Sequence, residues 1–217
     1  LFMVDTIASL GTMPFQMDEW GIDVALSGSQ KGLMTPPGLG FVEHNDRAFA
    51  VHQKADLRTR YWDWTERHGP QHYQKYCGTP PEHLLFGLRE ALSMLFEEGL
   101  DNVFARHDRL AEATRRAVRG WGLEVLCQDE REYSSSLTAV LMPDGHDADA
   151  FRKVVLENFD MSLGNGLGKI AGKVFRIGHL GDFNDLMLIG TLAGVEMGFK
   201  IAGVPYKIGG AQAAMDF

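Results

Sequence analysis

The chain has 217 residues, 45% of them hydrophobic and 23% charged, so it is long enough and apolar enough to bury a substantial core. Its 21 basic and 29 acidic residues give a formal net charge of −8. This balance argues against a nucleic-acid partner, which needs clustered Lys and Arg. No apolar run reaches the ~20 residues of a membrane span, and the first residues lack the pattern of a signal peptide. Two widely spaced cysteines, Cys77 and Cys127, suit reduced thiols, so we expect a cytoplasmic protein without a membrane partner.

Three short apolar runs predict the strands of a buried sheet in the first part of the chain. They cover residues 1–4, 22–26 and 39–42, and the third follows a strong turn signal, Pro-Pro-Gly. The chain starts inside the first of these strands, so we expect a fragment of a longer protein or one half of a split enzyme. Residues 45–78 are polar and rich in aromatic side chains, which predicts a long loop or short elements.

Two helices follow. The order Thr79-Pro80-Pro81-Glu82 is that of a capping box and predicts a helix that begins at Pro80 and stops at Gly99. Its apolar stripe comprises Leu84, Leu85, Leu88, Leu92, Leu95 and Phe96. Asp101 is the predicted cap of a second helix that runs to about Arg119.

Beyond Gly120 the pattern predicts an α+β alternation. The predicted strands are 123–126, 137–142 and 174–178, and the predicted helices are 148–159 and 184–202. The tail after Gly203 is rich in small residues and is predicted to be loosely held. The sequence therefore predicts an α/β protein with two domains, residues 1–100 and 101–217.

The sharpest chemical signal is the hexapeptide SGSQKG, in which a strand runs into small hydrogen-bonding residues with Lys31 among them. Small residues let the backbone approach a ligand closely. A partly desolvated lysine there can act as a Schiff-base nucleophile. The alternative is a surface lysine in a polar loop.

Two further charged residues lie at predicted apolar strands: Asp5 follows the first strand and Arg176 interrupts the last. A buried carboxylate at Asp5 needs a cation, which in a pyridoxal-phosphate (PLP) site is the protonated pyridine nitrogen. The alternative is a cap on the turn at Thr6. Arg176 suits a substrate carboxylate because its guanidinium binds both oxygens. The alternative is an edge-strand arginine that reaches solvent.

Two further features lie near these residues. The hydroxyls of Tyr76 and Thr79 stand at the predicted start of the first helix, which favours phosphate, although Thr79 also serves as a cap. The loop GNGLG at residues 164–168 precedes a strand and not a helix, so a dinucleotide site is not expected. His179 is interpreted as a core or supporting histidine.

Taken together, these residues resemble the alanine/serine–glyoxylate aminotransferases, a branch of the class V, fold-type I PLP enzymes. The resemblance covers nearly the whole chain, and its serine–glyoxylate branch looks closest. The stretches that carry it are VDTIASLG (4–11), MDEWGIDVALSGSQK (17–31), LREAL (88–92), EEGL (97–100) and VFRIGHLG (174–181).

The resemblance implies that residues 1–100 are the C-terminal part of a PLP-binding large domain with a mainly parallel sheet, followed by a small α+β domain. It implies that Lys31 is the catalytic Schiff-base lysine, that Asp5 pairs with the pyridine nitrogen and that Ile7 packs on the ring.

It further implies that Gln30 contacts the cofactor phosphate and that Arg176 binds the substrate carboxylate. Tyr76 and Thr79 would reach the phosphate of a second subunit's cofactor, which implies a homodimer. The expected substrates are a small amino acid and a 2-oxo acid, with serine or alanine as donor and glyoxylate as acceptor. No metal is expected.

Two alternatives stay open. Another class V PLP enzyme, a desulfurase or lyase, would use the same fold, although Cys77 and Cys127 match no desulfurase motif. The chain could also be an inactive fragment that serves only for dimerisation.

Overall fold

The computed structural model describes residues 1–217, and the chain divides into two compact units. The first comprises Leu1–Glu98 and the second Gly99–Phe217. Each unit combines helices with its own three-stranded sheet, which confirms the predicted α/β class. Gly99 begins the second unit with a φ of 84°, a left-handed conformation that glycine adopts at little cost.

The sheet of the first unit has the order β1-β2-β3, formed by β1 (Met3–Asp5), β2 (Val24–Gly28) and β3 (Gly40–His44). β1 is parallel to β2, whereas β3 is antiparallel to it. The sequence predicts all three strands to within two residues at each end. β2 is central and buried, but residues 1–3 at the edge are exposed. The prediction of a buried first strand is therefore wrong for β1, because an edge strand has a neighbour on one side only.

A buried carboxylate ties the sheet to the helix that follows it, α1 (Asp46–His52). Asp23 is fully buried, and its Oδ2 accepts hydrogen bonds from the Phe2 amide (2.6 Å) and from Arg47. Its Oδ1 accepts from Arg47 Nε (2.7 Å) and Asn45 Nδ2 (2.9 Å). The Arg47 guanidinium, and then the Phe2 amide, hold the pKa of Asp23 well below its usual range.

We expect acid to destabilise the first unit through Asp23. Because the folded state lowers the pKa of this carboxyl, its contribution is complete above about pH 4 and is lost as the pH falls further. Asp23→Asn should lower the thermal midpoint by about 5–10 °C at pH 7 and flatten its dependence on pH between about 4 and 2.

Thermal unfolding followed by circular dichroism at several pH values measures both effects. Asp18→Asn is the control, because Asp18 is exposed and its side chain makes no hydrogen bond. If wild type and Asp23→Asn lost stability in parallel on acidification, Asp23 would not be the group responsible.

The aromatic-rich segment, residues 45–78, forms short helices, which is one of the two possibilities that the sequence predicted. After α1 come α2 (Trp64–Arg67) and a 3-10 helix, His72–Tyr76. Trp64 stacks on His44 with ring centroids 4.4 Å apart, which packs the segment against the end of β3.

The first long helix, α3, spans Glu82–Glu98. The predicted cap at Thr79 and start at Pro80 are wrong, since the first helical hydrogen bond runs from the Leu85 amide to the Pro81 carbonyl. A proline disfavours helical backbone angles in the residue before it. Pro81 therefore keeps Pro80 out of the helix. Of the predicted apolar stripe, Leu95 is buried, but Phe96 is 67% exposed.

The second unit packs four helices and an antiparallel sheet of order β4-β6-β5. The strands are β4 (Leu137–Leu141), β5 (Gly164–Asn165) and β6 (Val174–Gly178). The helices are α4 (Leu100–Gly120), α5 (Ala148–Phe159), α6 (Asp185–Ala202) and α7 (Gly210–Met215). Two 3-10 helices, Glu130–Glu132 and Gly168–Ile170, lie in the connections.

Two elements of the second unit before its tail differ from the prediction. Gly99 and not Asp101 is the N-cap of α4, and Asp101 lies in its first turn. Residues 123–126 form no strand, since only Val125 makes an isolated bridge, to Val140. The prediction of that strand relied only on its apolar residues. In the structure these residues belong to a connecting segment, from which Leu123 and Val125 pack into the core.

The core of the second unit is built on Phe175 and Ile177 of the central strand β6. Phe151 of α5 and Phe199 of α6 stack with ring centroids 4.8 Å apart, and Trp121 meets Phe199 edge to face at 5.3 Å. This layer lies on one face of the sheet, so residues that alternate with Phe175 and Ile177 point to the other face.

The tail after Gly203 is ordered and packed, which corrects the prediction of a loose tail. It contains α7, whose first residue Gly210 lies so close to Trp121 that a Cβ there would be 2.2 Å from the indole Nε1. The carboxylate of Glu196 accepts hydrogen bonds from Trp121 Nε1 (2.9 Å) and from the Gly209 (2.8 Å) and Ala211 (3.0 Å) amides. Small residues are needed here for close packing and do not indicate mobility.

None of the helices is both long enough and apolar enough to cross a membrane.

Candidate functional site

Lys31 lies in a turn whose backbone is held by hydroxyl side chains. β2 ends at Gly28, and the fully buried Ser29 donates its Oγ hydrogen to the Pro36 carbonyl (2.8 Å). Thr35 Oγ1 donates to the Ser29 carbonyl (2.8 Å). The sequence analysis counted Ser29 among the small hydrogen-bonding residues beside Lys31 and did not consider Thr35, yet both serve to fix the loop that carries the lysine.

The lysine loop packs directly on the turn that follows β1. A Cβ at Gly32 would lie 2.2 Å from the Leu10 carbonyl oxygen, so the two backbones touch where Gly32 has no side chain. Thr6 completes the link, because its amide and its Oγ1 each donate to the Leu26 carbonyl at 2.7 Å. The ammonium of the half-buried Lys31 makes no hydrogen bond or ion pair within the chain.

Asp5 and Ile7 occupy that turn. Asp5 Oδ1 accepts a hydrogen bond from the Ile7 amide (2.8 Å), so the turn cap that the sequence offered as an alternative is formed. The second oxygen, Oδ2, accepts no bond within the chain, and both side chains are exposed, Ile7 by 36%. Because β1 and β2 are parallel, their carboxyl ends bring Asp5, Ile7 and Lys31 to the same edge of the sheet.

The predicted phosphate contacts are spread over the same unit. Gln30 is exposed, and its amide group lies over Gly28, with Oε1 3.0 Å from the position of a Gly28 Cβ. Tyr76 ends the 3-10 helix and Thr79 stands three residues before α3, not at its cap. Both are exposed, and neither hydroxyl has a hydrogen-bond partner within the chain.

Arg176 belongs to the second unit, in the middle of the central strand β6. The alternative of an edge-strand arginine is therefore wrong. Its guanidinium forms no hydrogen bond or ion pair within the chain, and its Nε is buried without a partner. A buried donor without a partner costs free energy, so an arginine at this position needs an explanation other than its contribution to stability.

His179, three residues on, is a core histidine. Its Nδ1 and Nε2 lie 3.1 Å from the Ser135 carbonyl and 3.0 Å from Thr138 Oγ1, and burial lowers its pKa to about 4. It is therefore neutral at neutral pH.

Two neighbouring residues of α4 hold the connection that follows β6, and sequence reasoning missed both. His107 is fully buried, and its Nε2 accepts the Gly181 amide hydrogen (3.0 Å). Arg106 Nη1 donates to the Gly181 carbonyl (2.9 Å). No local pattern signals these bonds, because the residues are more than 70 positions apart in sequence.

The glycine-rich loop at residues 164–168 leads into β6 by way of a 3-10 helix, so it has no helix on which a dinucleotide phosphate would bind. No group of three or more His, Cys, Asp or Glu side chains is arranged to hold a metal ion.

Comparisons with known proteins identify the family of the chain. The family model described as Aminotransferase class-V matches residues 1–178. The chain is similar to a serine–glyoxylate aminotransferase of Methylorubrum extorquens (45% identity) and an L-aspartate–glyoxylate aminotransferase of Paracoccus denitrificans (42% identity). Each match covers 99% of this chain and 54% of the relative.

Among solved structures, a pyridoxamine–pyruvate aminotransferase from Mesorhizobium loti superposes with a TM-score of 0.89 at 30% identity, over 99% of this chain and 56% of that one. The chain thus spans about half the length of the curated relatives it matches. Taken with the lysine turn at the end of β2, these matches show that the chain belongs to the class V aminotransferase family.

Proposed function

We propose that the protein carrying this chain is a PLP-dependent transaminase that moves an amino group from serine to glyoxylate, giving hydroxypyruvate and glycine. Alanine, with pyruvate as product, is the other donor we consider. The observation that carries the proposal is the unpartnered ammonium of Lys31, held by a rigid turn at the carboxyl end of β2. That end of a sheet in α/β proteins is where ligands bind.

The residues at this edge fit PLP. A cationic pyridine nitrogen needs a carboxylate, and Asp5 has one oxygen, Oδ2, that the chain leaves without a partner. An aldehyde needs a primary amine, which Lys31 supplies. Ile7 offers an apolar, partly exposed side chain for a ring face, and Gln30 offers an exposed amide for phosphate.

Each residue then has a distinct task. When bound, PLP supplies the electron withdrawal that stabilises a carbanion at the substrate Cα. Lys31 would hold the cofactor through its amine and, as a general base and acid, would move a proton between the substrate Cα and the cofactor C4′. Asp5 keeps the pyridine nitrogen protonated, and Arg176 binds the carboxylate of the donor and then of the acceptor.

The assembly we propose is a cytoplasmic homodimer. Tyr76 and Thr79 would contact the cofactor phosphate of the second subunit, since both hydroxyls are exposed and unpartnered in one chain. A hydroxyl can donate a hydrogen bond to a phosphate oxygen, and within one chain neither of these two hydroxyls has another partner.

A desulfurase is a weaker candidate. That reaction needs a thiol that is free to attack the substrate, whereas Cys127 Sγ donates to the Asp129 carbonyl (3.4 Å). Cys77 is free and exposed, but the sequence around it matches no desulfurase motif. A role in dimerisation without catalysis is the remaining alternative, and it predicts no reaction with any donor.

The test is an assay of the PLP-loaded protein containing this chain with glyoxylate and, separately, serine, alanine, aspartate and cysteine. We expect serine to give the highest kcat/KM, with stoichiometric glycine and hydroxypyruvate measured by chromatography. Sulfide release from cysteine would support the desulfurase instead. Cofactor binding without turnover of any donor would overturn the proposal.

A further inference from the structure

The row of residues across the sheet of the second unit places Arg176 between two very small neighbours. Ala139 of β4 and Gly164 of β5 are its direct partners in the antiparallel register. Directly opposed residues point to the same face, which here is the face away from Phe175 and Ile177 and hence away from the core. The two residues directly opposite Arg176 thus contribute only one methyl group and one hydrogen beside its side chain.

Gly164 is in unusually close contact with this arginine. A Cβ at Gly164 would lie 3.0 Å from Arg176 Cβ and 3.2 Å from its Nε, closer than side chains normally approach. Its φ is not in the left-handed region, so backbone conformation does not require glycine at this position. The Arg176 side chain therefore occupies the space that a side chain at position 164 would need.

The close contact divides the guanidinium into a covered and an open part. Nε is buried and has no partner within the chain. Nη1 and Nη2 also lack partners, but neither is among the buried polar atoms, so both reach the surface. A carboxylate can therefore be met by the two terminal nitrogens and not by Nε.

We infer that Gly164 is a positioning residue: it seats the Arg176 stem so that the guanidinium receives the substrate carboxylate end-on, through Nη1 and Nη2 only. This inference rests on the proposed role of Arg176 as the carboxylate anchor. A side chain at 164 tilts the guanidinium away from this orientation and weakens the binding of every carboxylate substrate, because bidentate pairing depends on direction.

The test compares two variants of the PLP-loaded protein that each add one methyl group. Gly164→Ala places it against Arg176, whereas Gly178→Ala places it on the same sheet with no atom within 4 Å. We expect Gly164→Ala to raise KM for glyoxylate about tenfold, the loss of roughly one charge-assisted hydrogen bond, with a smaller effect on kcat. Gly178→Ala should leave KM within about twofold.

A double-mutant cycle separates positioning from a general structural effect. In an Arg176→Lys background there is no guanidinium to orient, so Gly164→Ala should change KM by less than about twofold. An unchanged tenfold effect in that background would overturn the inference, as would a Gly164→Ala enzyme with the wild-type KM. If Arg176→Lys itself leaves KM unchanged, it is the proposed anchor that fails, whatever Gly164 does.

A measurement on the wild-type enzyme keeps the inference testable if Gly164→Ala does not fold. With ¹⁵N-labelled arginine, the Nε–H resonance of Arg176 is identified by its disappearance in Arg176→Lys. Titration with sodium acetate should shift the Nη resonances and leave Nε–H nearly in place. A large downfield shift of Nε–H would show side-on binding and refute the inference.

Discussion

Lys31→Ala is expected to abolish the visible absorbance band of bound PLP and to lower kcat by at least about 10³-fold. The variant loses both the covalent attachment and the amine that moves the proton. No neighbour can replace it, since Gln30 and Gly32 flank it and the other two lysines of the first unit, Lys54 and Lys75, lie in the exposed segment after β3.

The absorbance spectrum with added PLP, borohydride reduction and mass analysis of the modified peptide measure the attachment. Lys31→Arg is a matched variant, because it keeps the positive charge but its guanidinium stays protonated and cannot attack a carbonyl. Lys54→Ala should behave as wild type. A band of full strength in Lys31→Ala, or reductive labelling at Lys54, would show that another amine holds the cofactor.

Elements whose ends carry clear local signals, such as capping residues, were predictable from the sequence. The bounds of α5 and β6 agree with the prediction residue for residue. For α5 the reason is the Asp147 cap, whose carboxylate accepts the Ala150 amide hydrogen (2.7 Å). For β6 the reason is a short apolar run, Val174–Gly178, that is interrupted only by Arg176, which predicts a strand with these bounds.

Errors occurred where several local signals competed. Thr79 and Asp101 are good capping residues, but the Pro80-Pro81 pair delays α3, and Gly99 already provides the break before α4. Residues 123–126 have strand-like composition, yet they contribute core side chains without a ladder. The tail was misread because glycine and alanine signal both flexibility and close packing, and only the contact of Gly210 with Trp121 decides between them.

The sequence predicts the candidate site as a set of residues, and the geometry of those residues comes from the structure alone. Lys31 and Asp5 lie where adjacent strands end, which local pattern can indicate. The central position of Arg176 depends on the order β4-β6-β5, in which the last strand inserts between two earlier ones. Likewise, the bond of Asp23 to Arg47 joins residues 24 positions apart. Such pairings follow from tertiary packing, which no short stretch of sequence encodes.

Arg176→Met is expected to stabilise the folded protein while removing carboxylate binding. In wild type the buried Nε–H has no partner within the chain, which costs about 1 kcal/mol or more, and methionine has a similar length without that donor. We expect the thermal midpoint without substrate to rise by about 2–4 °C. The KM for glyoxylate should rise at least about 100-fold, while the absorbance of bound PLP stays unchanged.

Arg152→Met is the matched control for the expected rise in both the thermal midpoint and KM of Arg176→Met. Arg152 is satisfied, because its Nε donates to the Leu163 carbonyl (2.7 Å) and its Nη1 pairs with Asp149 (2.7 Å). The same substitution there removes these bonds and should lower the thermal midpoint with KM unaffected. If Arg176→Met lost as much stability as Arg152→Met, or lost the PLP absorbance, then Arg176 would support the fold. A midpoint that rises together with KM instead means that Arg176 is kept for a carboxylate bound by Nη1 and Nη2, although its buried Nε destabilises the unliganded fold.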